Sequence, residues 1–303
     1  IRKKLYLEKN DQIYIDTVIT KLDSLKDSIN AIKSGKSCFK NLRVSVVPPV
    51  NSNKILPFDS FVPGKIADTI SISGCKGEFI PASFVVRPSI DMQSLTAAVG
   101  NLKSGKNIIP ASCIDVKLVK CWYQAGTAWN GIAQDKLHRI LVPELLLNDD
   151  KLVKVDYDKQ ENYLKGRFTD GDRYIWISDA SKSTTDSIIH TVQEYPVSDA
   201  KELLPVQIKA KTNQQYWITV KVPANAKAGK YSGKITLTNG DEVLGKLTLN
   251  FTVLPFNLDT PYYTSSIYYR GILRKGWEQG SISSEFKSEQ QLKAELRNMI
   301  EHG

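Results

Sequence analysis

The segment from Gln214 to Phe256 constrains the fold most strongly, because its polarity alternates with the two-residue period of a β-strand. It reads "QQYWITVKVPANAKAGKYSGKITLTNGDEVLGKLTLNFTVLPF". The first strand predicted there has one apolar face, formed by Tyr216, Ile218, Val220 and Val222. Its other face carries Trp217, Thr219 and Lys221. Asn239-Gly240 then separates two further β-rich runs and is a strong signal for a β-hairpin.

Residues 39–256 keep this character throughout and predict one β-sandwich domain. Gly, Pro, Asn and Asp separate short β-rich runs, among them "FKNLRVSVVPPV", "DTISISG", "FIPASFVVRP", "CIDVKLVKCWY" and "RYIWISD". An apolar fraction of 41% is sufficient for a core in a chain of 303 residues. Many short strands with little intervening helix are typical of an antiparallel β-sandwich of jelly-roll type. The predicted fold class is therefore mostly β.

Residues 1–38 predict an N-terminal segment with one amphipathic helix at about 16–33. Its apolar stripe consists of Val18, Leu22, Leu25, Ile29 and Ile32. The stripe covers only about two heptads, which favours a helix lying on its own domain over a coiled coil. Self-association of the chain through this helix is the alternative.

Residues 257–303 predict a linker, one strand and one helix. "TSSIYYRG" is typical of a strand, and Ser288 with Gln291 forms the capping box that begins a helix. The helix has an apolar stripe of Leu292, Leu296, Met299 and Ile300. Gly303 fits the glycine that often follows a helix. A lone strand–helix unit cannot bury both faces of its strand, so the segment is interpreted as the start of a second domain or as an addition to the sandwich.

The charge pattern excludes some classes of protein. The formal net charge of +9 is spread along the chain without a run of consecutive basic residues. It is compatible with an anionic partner, but a solvated, Lys-rich surface is the favoured interpretation. The sequence contains no recognisable nucleic-acid-binding module, membrane span or signal peptide. Because the first residue is Ile1 rather than Met, we expect a processed or trimmed N terminus.

The cysteines and histidines give no sign of a metal site. Cys38, Cys75, Cys113 and Cys121 lack CxxC spacing and neighbouring His residues, so neither zinc nor a cofactor is expected. Cys113 and Cys121 lie on one predicted strand, roughly 26 Å apart and beyond the reach of a disulfide. Other pairings and four buried thiols both stay open. The remaining candidates are too scattered for a metal or a catalytic triad: His138, His190 and His302.

Several pieces of the chain, in order, resemble glycoside hydrolase family 123 and its relatives. "YWITVKVPANAKAGKYSGKITLT" is similar to the last strands of the N-terminal β-sandwich in that family, with the pattern V-P-x-x-A-x-x-G-x-Y-x-G. The other pieces are "GEFIPASFVVRP", "VPELLLNDDKLVKVDYDKQENYL" and "SIYYRG…SISSEFKSEQQLKAELRNMIEHG". The resemblance extends from about residue 75 to the end. It implies that residues 257–303 are a linker and the first strand–helix unit of an incomplete (β/α)8 barrel.

The resemblance also implies a chemistry. Family 123 enzymes are similar to hexosaminidases that cleave β-linked N-acetylgalactosamine, with the acetamido oxygen of the substrate as nucleophile and an adjacent Asp-Glu pair as helper and general acid. In the family that pair lies deep in the barrel, so it is expected beyond Gly303 and no residue of this chain is assigned a catalytic role. The chain alone is accordingly expected to be inactive. Tyr269 and Arg270 end the first barrel strand and would face the substrate pocket, or Arg270 would brace the barrel rim.

An aromatic-rich stretch, "CWYQAGTAWNG", supplies the other candidate substrate-binding residues. Trp122 and Trp129, with Tyr123, could form a platform for sugars, although packing between domains is the favoured interpretation. Two acidic pairs, Asp241-Glu242 and Asp149-Asp150, are interpreted as ordinary solvated turn residues rather than catalytic acids.

Two classes of function remain. The first is the N-terminal accessory sandwich of a family 123-like glycoside hydrolase that acts on β-linked N-acetylhexosamine glycans. The alternative is a non-catalytic, extracellular carbohydrate-binding or structural surface protein. In both, the expected partner is a glycan substrate or surface polysaccharide. The resemblance, rather than any signal in the sequence, implies a secreted, periplasmic or cell-surface location.

Overall fold

The chain divides into two compact units in the computed structural model. The structure describes residues 39–51, 53–125, 139–178, 197–258 and 286–302, the short stretches 190–191, 266–269, 271–273 and 277–278, and the single residues Val18 and Leu22. Unit 1 consists of Ile1–Leu118 and Pro205–Phe256, and unit 2 consists of Val119–Leu204 and Asn257–Gly303. Unit 1 is thus built from two separate stretches of sequence.

Unit 1 contains two sheets of mostly antiparallel strands. Its strands are β1 (Leu42–Val47), β2 (Lys65–Ile66), β3 (Thr69–Gly74), β4 (Phe79–Pro88), β5 (Met92–Val99), β6 (Leu102–Ser104), β7 (Asn107–Ile109), the start of β8 (Ile114–Ala125), β14 (Val206–Ile208), β15 (Gln214–Lys221), β16 (Gly229–Asn239) and β17 (Glu242–Val253). One sheet has the order β2-β1-β4-β15-β8 within this unit, and the other has the order β14-β5-β16-β17-β3, with β6 beside β16 and β7 beside β6. The pair β17–β3 is parallel. The predicted mostly-β fold is confirmed, and the two sheets, antiparallel apart from the pair β17–β3, are consistent with the predicted β-sandwich.

The core of unit 1 follows the predicted alternation. The four residues of the predicted apolar face are at most 1% exposed: Tyr216, Ile218, Val220 and Val222. The ring of Tyr216 stacks on that of Phe84, with centroids 5.1 Å apart and planes 12° apart. On the second sheet, Leu247 and Phe251 are completely buried. The strand pattern therefore identified the buried faces correctly.

The predicted hairpin at Asn239-Gly240 is confirmed. Strands β16 and β17 pair up to Asn239 and Glu242, and Gly240 adopts a φ of 59° that glycine accepts without strain. The side-chain oxygen of Asn239 accepts hydrogen bonds from the backbone N–H groups of Gln93 and Ser94. At the turn, Glu242 forms an ion pair with Lys40. Asp241-Glu242 is therefore a surface turn, as expected.

The glycine- and tyrosine-containing signature of the sequence has a structural basis in this unit. Gly229 has a φ of 144°, and the Tyr231 hydroxyl donates a hydrogen bond of 2.8 Å to the carbonyl of Lys227. A Cβ on Gly233 would lie 2.7 Å from the backbone oxygen of Asn101, because strand β6 approaches β16 there. The signature residues thus form the start of β16 and the close contact between β16 and β6.

We predict that Gly233→Ala destabilises unit 1 by about 1–3 kcal/mol, because the backbone at Asn101 has to move away from the added methyl group. Urea unfolding followed by circular dichroism measures the change. Gly100→Ala is the matched control, since a Cβ there meets its nearest atom at an ordinary 3.6 Å. Equal stability of the two variants would contradict the close approach of β6.

Unit 2 contains a three-stranded antiparallel sheet and one helix among its described residues. The strands are the end of β8, β9 (Arg139–Leu147), β10 (Val153–Asp156), β11 (Glu161–Phe168) and β12 (Gly171–Trp176), with a 3₁₀ turn at Asp150–Leu152. Short ladders join β13 (His190–Thr191) to β19 (Trp277–Glu278), and β18 (Ile272–Leu273) to β20 (Phe286–Lys287). The helix α1 spans Glu289–Glu301. The three-stranded sheet has the order β10-β11-β12.

The C-terminal prediction is correct for the helix and wrong for the strand. Helix α1 begins with the predicted capping box, in which Ser288 and Gln291 exchange hydrogen bonds. Residues 266–269 belong to no strand, and Ile267 and Tyr268 are 70% and 103% exposed. An apolar run becomes a stable strand only when neighbouring strands and a covering layer bury it, and these two side chains have neither in the described part of the chain. The interpretation of this segment as a barrel fragment is not confirmed.

Two further expectations concern the cysteines and the N-terminal helix. Cys75, Cys113 and Cys121 form no disulfide in the described part of the chain, whereas Cys38 lies outside the described residues. Of the predicted helix at 16–33, only Val18 and Leu22 are described, and both are helical. Most of that prediction lies outside the described residues.

The expectation that Asp149 is a solvated turn residue is wrong. Asp149 is only 6% exposed and caps the 3₁₀ turn by accepting a hydrogen bond from the Lys151 N–H. Its neighbour Asp150 forms an ion pair of 2.7 Å with Lys120. The pair is therefore structural, because the turn that follows β9 is packed inward rather than exposed to water.

Candidate functional site

Trp122 lies on the part of strand β8 that belongs to unit 2. Its indole N–H donates a hydrogen bond of 2.7 Å to the carboxylate of Glu144 on β9, and the Gln124 amide donates to the same oxygen. The ring is half-buried. The polar edge of Trp122 therefore ties two neighbouring strands together, while Trp129 lies outside the described residues.

Tyr123 follows Trp122 on β8, and its backbone belongs to a buried network of hydrogen bonds. The side-chain amide of Asn162 accepts a hydrogen bond of 2.9 Å from the Tyr123 N–H and donates one of 2.6 Å to the Tyr123 carbonyl. The side chain thus makes the two hydrogen bonds that the backbone of a neighbouring strand would make. Ser178 then bonds the backbone of Asn162. The rings of Tyr123 and Tyr157 meet edge to face at 6.4 Å. Burial, followed by nearby charges, raises the pKa of Tyr157 far above its ordinary value, so its hydroxyl stays neutral.

Tyr269 contacts the C-terminal helix. Its hydroxyl donates a hydrogen bond of 2.6 Å to one carboxylate oxygen of Glu295, and Lys287 lies 2.8 Å from the other oxygen. Burial opposes the charged form of Glu295, but the hydrogen bonds from Lys287 and Tyr269 and the charge of Lys287 outweigh it and lower the pKa of that carboxyl. The Tyr269 hydroxyl is thus bound to α1, and Arg270 lies outside the described residues.

We predict that Glu295 titrates below the ordinary Glu value of about 4.3. Because its pKa is lower in the folded than in the unfolded chain, the contact stabilises the fold above that ordinary value and is lost as pH falls through the lowered pKa. Carboxyl carbon shifts recorded from pH 7 to pH 2 by NMR measure the midpoint, with Glu295→Gln for assignment. Tyr269→Phe is expected to move the midpoint upward, and a midpoint at or above the ordinary value in the unsubstituted chain would contradict the contact.

One side of the β10-β11-β12 sheet carries three aromatic side chains and two lysines. Strand register places Lys154 opposite Tyr163, Tyr163 opposite Trp176, and Lys165 opposite Tyr174. We call these five residues the aromatic face. The opposite side carries the more buried members of the same strands, including Val153, Asn162 and Gly166. The alternation in "ENYLKGRF" and "DRYIW" is a usable signal for this face, although sequence reasoning singled out neither run as a binding surface.

Unit 1 contains a cavity of about 710 Å³ lined by the ends of β1, β2 and β3 and the loops beside them. Its lining is mainly apolar, with Val47, Phe61 and Ile72 among the contributors, and Lys65 is the one titratable side chain among the described residues that line it. Hydrolysis by two carboxyl groups requires two acids in one cleft. The described residues that line this cavity supply no such pair of acids.

The described residues contain no cluster of three or more His, Cys, Asp or Glu side chains with the geometry of a metal site. Among the helices in the described part of the chain, none is long and apolar enough to cross a membrane.

Comparison with known proteins gives one family match. Residues 169–239 match the model of the glycoside hydrolase 123 N-terminal domain, a stretch that contains β12, β14, β15 and β16 and the signature glycines. No curated protein matches the chain. Residues 169–239 are thus similar to a glycoside hydrolase 123 N-terminal domain, which confirms the resemblance drawn from the sequence.

Similar solved structures include a family 123 glycoside hydrolase from Clostridium perfringens, described in a study of glycolipid glycan hydrolysis. It is 13% identical with a TM-score of 0.43 over 72% of this chain, and the chain covers 28% of that protein. A PapD-like domain of human CEP192 is 9% identical with a TM-score of 0.23 over 69% of this chain and 100% of that domain. The chain therefore spans little more than a quarter of the length of the family 123 hydrolase.

Proposed function

We propose that this chain is the N-terminal accessory region of a carbohydrate-active enzyme of the family 123 type. The observation that carries the proposal is the match of residues 169–239 to the N-terminal domain of that family. Within that stretch, the signature residues Gly229, Tyr231 and Gly233 form the start of β16. The proposal places the catalytic acid pair in a barrel outside this chain, and a complete barrel of this kind takes about 250 residues.

The proposed reaction is the hydrolysis of β-linked N-acetylhexosamine glycans assisted by the acetamido group of the substrate. The carbonyl oxygen of that group attacks the anomeric carbon while an acid protonates the leaving oxygen, and water then opens the oxazolinium ring. Two inversions leave the product with the anomeric configuration of the substrate. The glycan is accordingly the proposed partner, and a secreted, periplasmic or cell-surface location is proposed with it.

The chemistry of unit 1 agrees with a supporting role in this reaction. Its cavity has no pair of acids among the described residues, and its signature residues make backbone contacts rather than facing a cleft. A sandwich of this kind supplies a rigid body beside a barrel. Tyr269 and Arg270 remain proposed as residues near the substrate pocket, and Trp122 and Trp129 as a proposed sugar-contacting edge.

The test is to express the complete reading frame that contains these 303 residues and to assay it on aryl β-N-acetylgalactosaminide and β-N-acetylglucosaminide. We expect hydrolysis with retained β configuration of the first product, as read by proton NMR, and inhibition by a thiazoline that mimics the cyclic intermediate. The 303-residue chain is assayed in parallel, and we expect it to release no aryl alcohol. Inverted product, or turnover by the 303-residue chain, would contradict the proposal.

A further inference from the structure

The three rings of the aromatic face lie close enough together to contact one ligand. Tyr163 and Trp176 are directly opposite in the β11–β12 register, which places their Cβ atoms about 5 Å apart. Tyr174 lies two residues before Trp176 on the same strand and the same side, about 7 Å away. Tyr174 remains 42% exposed. Tyr163 and Trp176 are half-buried, so the face is a short aromatic platform that is partly open to solvent.

Two cations lie over these rings without a carboxylate partner among the described residues. The Lys154 ammonium is 5.4 Å from the Tyr163 ring centre and 5.8 Å from that of Tyr174. The Arg139 guanidinium is 5.9 Å from the Trp176 ring and donates to the carbonyl of Gln160. Lysine and arginine side chains that lie over ring faces can turn to an anionic ligand at little cost.

The other charged groups of this surface already have partners. Lys165 forms an ion pair of 2.9 Å with Asp172, and the carboxylate of Glu161 accepts from the Tyr163 hydroxyl at 2.6 Å. Asp156 accepts from two backbone N–H groups in the turn that follows β10. These carboxylates can still accept hydrogen bonds from ligand hydroxyl groups, because each oxygen has two lone pairs.

An acidic sugar can contact the aromatic rings, the two cations and the carboxylates of this surface at the same time. The C–H face of a pyranose packs on the electron-rich face of an aromatic ring, and its hydroxyl groups donate to carboxylates. A carboxylate or sulfate on the sugar neutralises Lys154 and Arg139. A single-stranded nucleic acid would also stack, but its phosphate groups offer no donors to Glu161, Asp156 and Asp172 and are repelled by them.

We propose that the aromatic face binds an acidic polysaccharide, with its sugar rings on Tyr163, Tyr174 and Trp176 and its anionic groups on Lys154 and Arg139. The observation that carries this proposal is the row of three rings on one side of a sheet, with cations above them that have no carboxylate partner in the described part of the chain. It requires no catalysis and does not rest on the proposed hydrolase function.

Calorimetric titration of the 303-residue chain with oligogalacturonate tests the proposal, and the fully methyl-esterified oligosaccharide is the matched neutral probe. We expect binding of the acid form that weakens as salt is raised, and markedly weaker binding of the ester. Tyr174→Ala is expected to raise Kd about three- to tenfold, whereas Tyr174→Phe, which keeps the ring, is expected to stay near the original value. Lys154→Ala is expected to weaken only the binding of the acid form.

Control variants are chosen from the same unit. Tyr268→Ala removes a fully exposed tyrosine and Lys159→Ala an exposed lysine, and neither is expected to change Kd. Thermal unfolding of each variant shows whether the sheet is intact, and Tyr174→Phe tests the ring even if Tyr174→Ala is unstable. Four results would overturn the proposal: no binding of the acid form, equal binding of the ester, Kd unchanged by both Tyr174→Ala and Lys154→Ala, or tighter binding of oligothymidylate than of oligogalacturonate.

Discussion

Phe84→Ala is expected to destabilise unit 1 by about 3–5 kcal/mol, a larger loss than the one expected for Gly233→Ala. Phe84 is completely buried on β4, and its ring stacks on that of Tyr216 on the neighbouring strand. Truncation to alanine removes the buried apolar surface of the Phe84 ring and leaves a cavity beside the Tyr216 ring. The surrounding core can fill that cavity only partly. The expected fall in Tm is between about 6 and 20 °C for a unit of this size.

Thermal and urea unfolding followed by circular dichroism measure the effect of Phe84→Ala. Phe256→Ala is the matched control, because Phe256 is 53% exposed and its truncation is expected to change stability by less than about 1 kcal/mol. A loss of stability in Phe84→Ala no greater than in Phe256→Ala would show that the ring pair is not part of the core.

Asn162→Ala is expected to destabilise unit 2 by about 2–4 kcal/mol. Asn162 is only 1% exposed, and its amide satisfies both the N–H and the carbonyl of Tyr123 on β8. Alanine leaves these two backbone groups without their partner, at a site where Asn162 and Ser178 are both almost fully buried. An unsatisfied buried polar group costs more than the net value of its hydrogen bond.

Hydrogen exchange of the Tyr123 amide is the most direct measurement for Asn162→Ala, and we expect its protection to fall together with the midpoint of urea unfolding. Asn298→Ala on the exposed side of α1 is the control, and it is expected to be neutral or slightly stabilising because alanine favours helices. An amide at Tyr123 that stays equally protected would mean that β8 is held there by other contacts.

The elements that sequence reasoning predicted are those that short-range physics specifies. The hairpin at Asn239-Gly240 and the capping box at Ser288 and Gln291 depend on residues at most three apart, and both are present. The buried face of β15 follows from alternation alone. Local pattern was sufficient because the same residues that set the backbone conformation also set the side that is buried.

Features that depend on distant residues could not be predicted. The parallel pairing of β3 with β17 joins segments about 180 residues apart, and no local signal specifies that partner. The burial of Asp149 depends on how the turn after β9 packs, and the role of Asn162 depends on β8 lying beside β11. Residues 266–269 have the composition of a strand, but the neighbouring strands that would stabilise it were assumed rather than visible in the sequence.

The candidate site was predictable only in part. Trp122 and Tyr269 were singled out by residue type, and the structure shows that the polar atom of each is bound to a carboxylate on a neighbouring element. The aromatic face was not singled out, although its alternation stands in the sequence, because recognising it requires the register that brings Tyr163 opposite Trp176. Register between strands is a tertiary property.

The two-segment construction of unit 1 determines the order in which the chain can fold during synthesis. Strand β15 lies between β4 and β8 in the middle of its sheet, yet it leaves the ribosome about 130 residues after β4. Until Lys221 has emerged, β4 is paired on one side only, with β1, and until Val253 has emerged, β3 lacks its partner β17; apolar side chains such as Phe84 and Ile70 are exposed meanwhile. The nascent chain is therefore expected to need a chaperone until then, and fragments that end near residue 204 are expected to aggregate rather than fold.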